Sequence, residues 1–162
     1  MDGWSVRPAA AADARVLARL RWAFRAEIGQ ASEDEAGFLE RAAAWMAARL
    51  EEGGRWRAWL AEDDGGEAIG CAWLQLIEKV PNPGPEEELH GYVTSMFVAP
   101  AQRGQGIGAA LLGAALEACR AAKVDSVVLW PTSGSRDLYA RHGFAAPDDV
   151  LELRIGSGRD LP

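Results

Sequence analysis

Residues 92–112 constrain the fold of this chain more tightly than any other stretch of it. An extended apolar run, 92–98, enters the turn Ala99-Pro100-Ala101-Gln102-Arg103-Gly104-Gln105-Gly106. The turn opens into an alanine- and leucine-rich segment, 106–122, that reads as a helix. Strand, glycine turn and helix in that order also make an anion site. The first amides of the helix have no intrahelical partner, the peptide dipoles turn their positive end to the turn, and residues without side chains let a diphosphate approach closely. With 17 Lys and Arg against 24 Asp and Glu, the formal net charge is -7, which disfavours non-specific attraction to nucleic acid or an anionic membrane. An anionic ligand must therefore be held locally. Arg103 is the one basic residue inside the turn, so backbone amides carry most of that task.

The rest of the chain is organised around this unit. Trp4 to Arg7 reads as a first strand, closed by Pro8. Asp13 can cap a helix whose apolar face is Leu17, Leu20, Phe24 and Ile28. Ser32-Glu33-Asp34-Glu35 has the capping-box pattern for a second helix with the stripe Leu39, Ala42, Met46 and Leu50, stopped by Gly53-Gly54. Residues 55–61 and 68–77 alternate tryptophan and branched residues around Asp63-Asp64-Gly65-Gly66, an antiparallel hairpin. The segment 78–90, with three prolines and Glu86-Glu87-Glu88, reads as a surface loop and a wall of an acceptor pocket. A strand at 126–130, a short helix at 136–141 and final extended segments including 150–155 complete one domain, residues 1–162, with a mixed α/β sheet.

Other chemistries fit less well. A phosphate-binding P-loop needs Lys-Ser or Lys-Thr after its last glycine, and Ala109-Ala110 stands there instead. Gly104, Gly106 and Ala109 satisfy the dinucleotide fingerprint, but a hairpin precedes the turn and Asp125 lies before its strand rather than at its end. Cys71 and Cys119 read as core thiols, and with no CxxC and with His90 and His142 far apart no metal site is expected. No apolar run approaches the ~20 residues of a membrane span, and Met1-Asp2-Gly3-Trp4 lacks a signal-peptide pattern, so the expected compartment is the cytoplasm.

Arg103-Gly104-Gln105-Gly106-Ile107-Gly108 is similar to the acetyl-CoA signature of the GNAT superfamily of N-acetyltransferases, and Met96-Phe97-Val98-Ala99-Pro100 looks like that family's strand-to-loop junction. Leu138-Tyr139-Ala140-Arg141-His142-Gly143-Phe144 resembles a second family segment, Leu-Tyr-x-x-x-Gly-Phe. The resemblance implies a GNAT fold, with a mostly antiparallel sheet of six to seven strands flanked by about four helices. It implies that Arg103, Gly104 and the amides of Gln105, Gly106, Ile107 and Gly108 take the diphosphate of acetyl-CoA. The edge at Met96, Phe97 and Val98 would pair with the pantetheine arm, and the Val98 amide would face the thioester oxygen.

The resemblance also assigns catalytic roles. Tyr139 becomes the general acid, since a phenol with a pKa near 10 can protonate a leaving thiolate, although the residue alone reads first as a packed tyrosine. Thr132 and Ser135 stand where many members carry Asn and Ala. Thr132 still offers a hydroxyl to the cofactor arm, and Ser135 suits the N-cap of the last helix. Many members place a glutamate on the central strand, but 92–98 contains no acid, which leaves His90, Glu78 or water for deprotonation. Arg21 and Arg25 could bind an acceptor carboxylate, solvent-facing charges being the commoner outcome at that spacing. The seven tryptophans read mostly as core or pocket wall.

The expected activity is transfer of acetyl from acetyl-CoA to a primary amine of a small molecule, by direct attack in a ternary complex. Acetylation of protein N-termini or lysines is the nearest variant. An acyl-CoA sensor without turnover is a different class, and the resemblance is compatible with a homodimer.

Overall fold

The computed structural model describes residues 3–51 and 53–156, and the chain divides between Leu129 and Trp130 into two compact units. The first is built on a five-stranded sheet in the order β1-β2-β3-β4-β5. β1 (Trp4–Pro8), β2 (Trp56–Asp63), β3 (Ala68–Glu78) and β4 (Leu89–Val98) pair antiparallel in succession, and β5 (Ser126–Val128) runs parallel to β4. Helices α1 (Ala14–Glu27) and α2 (Glu35–Glu51) connect β1 to β2, and α3 (Ile107–Ala121) makes the crossover from β4 to β5.

Both helical layers follow from the apolar spacing. Leu17 and Leu20 of α1 and Leu39, Ala42 and Met46 of α2 are buried, in one cluster with Ala58, Leu60, Cys71, Trp73 and Phe97 from the sheet. Trp45, Trp56 and Trp73 pin α2 to the strands, with ring centroids 5.2 to 6.2 Å apart. The cap of α2 lies two residues later than the sequence pattern suggests: Asp34, not Ser32, accepts the Gly37 amide at 2.7 Å. On the opposite face α3 buries Ile107, Leu111, Leu112, Ala115 and Cys119. A Cβ on Gly91 would lie 2.9 Å from the Cys119 Sγ, so the missing side chain on β4 is what lets α3 settle close. Both cysteines are buried free thiols, and burial pushes Cys71 up to about 12.

Asp13 does not cap α1 with its side chain. Its carboxylate takes Arg7 at 2.9 Å and the Ala10 amide at 2.8 Å, while Arg7 also holds Glu62 at 2.6 Å, tying β1, β2 and the start of α1 together. The hydrogen bond from Arg7 holds Asp13 below the usual carboxylate range. A depressed carboxylate contributes stability that is complete above the unfolded pKa, near 3.9, and is lost as pH falls through the lower folded value. Urea midpoints compared at pH 7 and pH 3 are expected to drop further for the wild type than for Asp13→Asn.

Among the described residues the sheet has five strands where six to seven are expected. β5 stops at Val128, short of Trp130, and residues 150–155 form no ladder. Their alternation supplies apolar side chains, but a strand also needs a neighbour for its backbone groups. None of the described residues provides one, and Leu151, Leu153 and Ile155 are 97%, 83% and 92% exposed.

The second unit contains α4 (Arg136–Arg141) after a single helical turn at Ser133–Ser135. Gly143, at φ 88°, closes α4 in the left-handed conformation, with the Phe144 amide returning to the Tyr139 carbonyl at 3.1 Å.

Candidate functional site

β4 is paired on both sides only at its beginning. β5 matches His90, Gly91 and Tyr92, so on that side residues 93–98 have no neighbouring strand among the described residues. Against β3 the register slips: Cys71 opposes Phe97 but Trp73 opposes Thr94, so Ser95 and Met96 share one position. Ser95 takes φ 51°, a left-handed conformation unusual for a residue with a side chain, and its carbonyl accepts from the Cys71 thiol at 3.5 Å. Such a bulge bends the strand and re-aims the groups that follow it. The result is an open stretch of backbone at Met96, Phe97 and Val98, leading straight into the glycine turn.

The turn itself is short of acceptors. Gly104 and Gly106 hold φ of 81° and 84°, and Gly106 is the N-cap of α3. After the Arg103 amide, which donates to the Pro100 carbonyl at 3.4 Å, the next amide to find a carbonyl is that of Ala110, which donates to Gly106 at 3.0 Å. Among the described residues no acceptor takes the amides of residues 104–109. Six consecutive donors at the positive end of a 15-residue helix form a cradle for an anion rich in acceptor oxygens.

Arg103 is committed to other contacts. Its guanidinium pairs with both oxygens of Glu27 at the end of α1, at 2.8 and 2.7 Å, while its Nε donates to the Val98 carbonyl at 3.0 Å and it lies over the Phe97 ring. It braces the turn against α1. Glu27 gave no signal in the sequence, because its role depends on a partner 76 residues away.

Glu78 and His90 are not brought to this end of the sheet. The register pairs Gly70 with Val98 at one end of the β3–β4 ladder and Glu78 with Leu89 at the other. Eight residues of extended strand put His90 on the order of 25 Å from Val98. Glu78 is ion-paired with Arg55, and His90 Nδ1 lies 2.7 Å from the Ser126 hydroxyl. The 79–88 loop folds at that far end too, where Lys79 binds Glu86 and, at 2.9 Å, Asp125, so it does not flank the glycine turn. Replacing His90 or Glu78 with alanine is expected to leave turnover and its pH profile within about twofold of wild type, as measured by initial rates.

In the second unit Tyr139 is 8% exposed and packs edge-on against Phe144 at 5.7 Å. Burial raises its phenol above the ordinary tyrosine value, opposed by a hydrogen bond with Ser135. The proton therefore stays on the hydroxyl through the neutral range. Ser135 makes no side-chain cap on α4: its hydroxyl donates to the Thr132 carbonyl at 3.1 Å and accepts from the Thr132 hydroxyl at 3.0 Å. Among the described residues no group of His, Cys, Asp and Glu could hold a metal ion, and no helix is long and apolar enough to cross a membrane.

Comparison with known proteins agrees with this geometry. The model of the acetyltransferase (GNAT) family matches residues 16–144. A mycothiol acetyltransferase of Beutenbergia cavernae is 35% identical over 104 residues, which cover 59% of this chain but 32% of that protein, so the match spans about a third of the relative's length. A GCN5-related N-acetyltransferase of Ralstonia eutropha superposes with a TM-score of 0.74 at 28% identity, over 95% of this chain and all of that one. A protein of Clostridium acetobutylicum described as a predicted acetyltransferase, solved with acetyl-CoA, shares the fold with a TM-score of 0.76 at 23% identity, over 93% and 96% of the two chains. With the open β4 edge, the glycine turn and the helix behind it all inside the matched span, this chain belongs to the GNAT superfamily of N-acetyltransferases.

Proposed function

We propose that the chain transfers acetyl from acetyl-CoA to the primary amine of a small molecule, by direct attack within a ternary complex. The observation that carries this reading is the run of unengaged amides at 104–109, which begins with the left-handed Gly104 and Gly106 and follows the unpaired edge of β4. A diphosphate offers only acceptor oxygens and suits such donors in a chain of net charge -7, where basic side chains near the turn are few. The relative named for mycothiol supports a small-molecule acceptor.

Bound acetyl-CoA would supply an activated acyl group as its thioester. Overall, a nitrogen–carbon bond forms, the carbon–sulfur bond breaks, the amine gives up a proton and the sulfur receives one. In this reading the amides of Gln105, Gly106, Ile107 and Gly108 hold the diphosphate together with Gly104, and Arg103 reaches it by exchanging its Glu27 contact. The edge at Met96, Phe97 and Val98 aligns the extended arm as an added strand would, and the Val98 amide favours negative charge on the acyl oxygen. Tyr139 delivers the proton to the sulfur, with Ser135 fixing its hydroxyl and Thr132 fixing Ser135. Proton removal from the amine falls to water.

Calorimetric titration with coenzyme A, paired with thiol release from acetyl-CoA across a panel of amines, tests the proposal. Saturable binding and amine-dependent release are expected. Absence of binding removes the donor site, whereas binding without release for every amine identifies a sensor.

A further inference from the structure

α1 carries two guanidinium groups one turn apart, Arg21 and Arg25, both half-buried. Arg21 reaches the bulge in β4, its Nη1 standing 3.5 Å from the Ser95 hydroxyl, and it lies over the Phe24 ring at 5.6 Å. No carboxylate among the described residues pairs with it. Arg7, Arg41, Arg55, Arg103, Arg120 and Arg154 each hold an acid, and among the arginines that do not, Arg21 stands out by its reach to the β4 bulge. Acidic residues outnumber basic ones in this chain, so an unpaired cation pressed against the sheet is not a shortage of partners. A half-buried charge without a counterion costs free energy, more so with a second cation beside it, and both burial and Arg25 push Arg21 below its ordinary value. Its polar neighbours are the Ser95 hydroxyl, the Cys71 thiol and Tyr92, which donates to Thr94 at 3.1 Å. Trp73, opposite Thr94 on the same face of the sheet, has a buried indole N–H with no acceptor. The surroundings are rich in donors and lack an anion.

We infer that the acceptor carries a carboxylate one or two carbons from its amine, and that Arg21, supported by Arg25, binds that carboxylate beside the bulge. The inference rests on the acetyltransferase reading above. The short spacing follows from position. Ser95 adjoins the Met96–Val98 edge assigned to the acyl arm, so a carboxylate on Arg21 leaves room for only a short link before the nitrogen reaches that edge. The planar guanidinium matches a carboxylate with two parallel hydrogen bonds, which a lysine cannot reproduce.

The test compares amino acids with their decarboxylated amines and carboxamides in wild type, Arg21→Gln, Arg21→Lys and the exposed control Arg19→Gln. In wild type, kcat/KM is expected to favour the amino acid over the matched amine by roughly tenfold to a hundredfold, the range for a charge-assisted pair. Arg21→Gln should erase that preference through KM, Arg21→Lys should restore part of it, and Arg19→Gln should retain it. Thermal stabilisation of the protein by the amino acid alone, without acetyl-CoA, should disappear in Arg21→Gln. Equal rates for wild type with amino acids and plain amines would overturn the inference while leaving the acetyltransferase reading intact. A preference for phosphoethanolamine over β-alanine would overturn the carboxylate assignment. Loss of coenzyme A binding in wild type would instead remove the reading on which the inference stands.

Discussion

Tyr139→Phe is expected to lower kcat by roughly a hundredfold or more, the range for losing one general acid, while the KM for acetyl-CoA stays within about twofold. The substitution removes one oxygen and leaves the ring against Phe144, so α4 should survive it. Because burial raises the Tyr139 phenol above the ordinary value near 10, the wild-type rate should not fall through loss of that proton until pH exceeds about 10. The Phe variant should lack that alkaline limb. Stopped-flow release of free thiol across pH separates the two outcomes, and an unchanged kcat would return Tyr139 to the core.

Gly106→Val should weaken coenzyme A binding tenfold to a hundredfold. The reason is strain and not space: a Cβ at Gly106 meets only Trp4 Cζ2, at 4.0 Å, but the backbone sits at φ 84°. A left-handed conformation costs an ordinary residue roughly 1–2 kcal/mol, and relaxation away from it would turn the 104–109 amides off their common target. Each charge-assisted hydrogen bond lost is worth about 1.5–3 kcal/mol. Gly113, in the middle of α3, supplies the control, because it has open space and no positive φ. Gly113→Ala should leave binding unchanged and raise stability by about 0.5–1 kcal/mol in urea.

The parts of the structure legible in the sequence are those whose causes are local. The β2–β3 hairpin follows from alternation around a turn in which Asp63 accepts the Gly65 and Glu67 amides at 2.9 Å. The turn into α3 is written in its glycines, and α4 ends where Gly143 requires it. What escaped is set by distant partners. The left-handed Ser95 leaves no trace because no glycine marks it, and contacts with Cys71 and Arg21 hold it there. The spacing of Arg21 and Arg25 leaves solvated charge and an acceptor-carboxylate role both open, with solvated charge the commoner outcome, and only β4 laid beside α1 shows Arg21 turned to the bulge. Glu78 and His90 flank the same strands in sequence, and only the register shows that they lie at the opposite end of the ladder from Val98. The segment 150–155 has the composition of a strand without the ladder that would make it one.

One helix meets both halves of the reaction as proposed. α1 places Arg21 at the bulge and, six residues on, gives Glu27 to Arg103 beside the diphosphate cradle. A lesion that shifts the helix as a whole, unlike a change at the exposed Arg19, will therefore perturb two Michaelis constants together, and single-substrate kinetics would misattribute the damage. Bisubstrate analysis with each reactant varied at saturating levels of the other is the minimum needed to tell donor defects from acceptor defects on that helix.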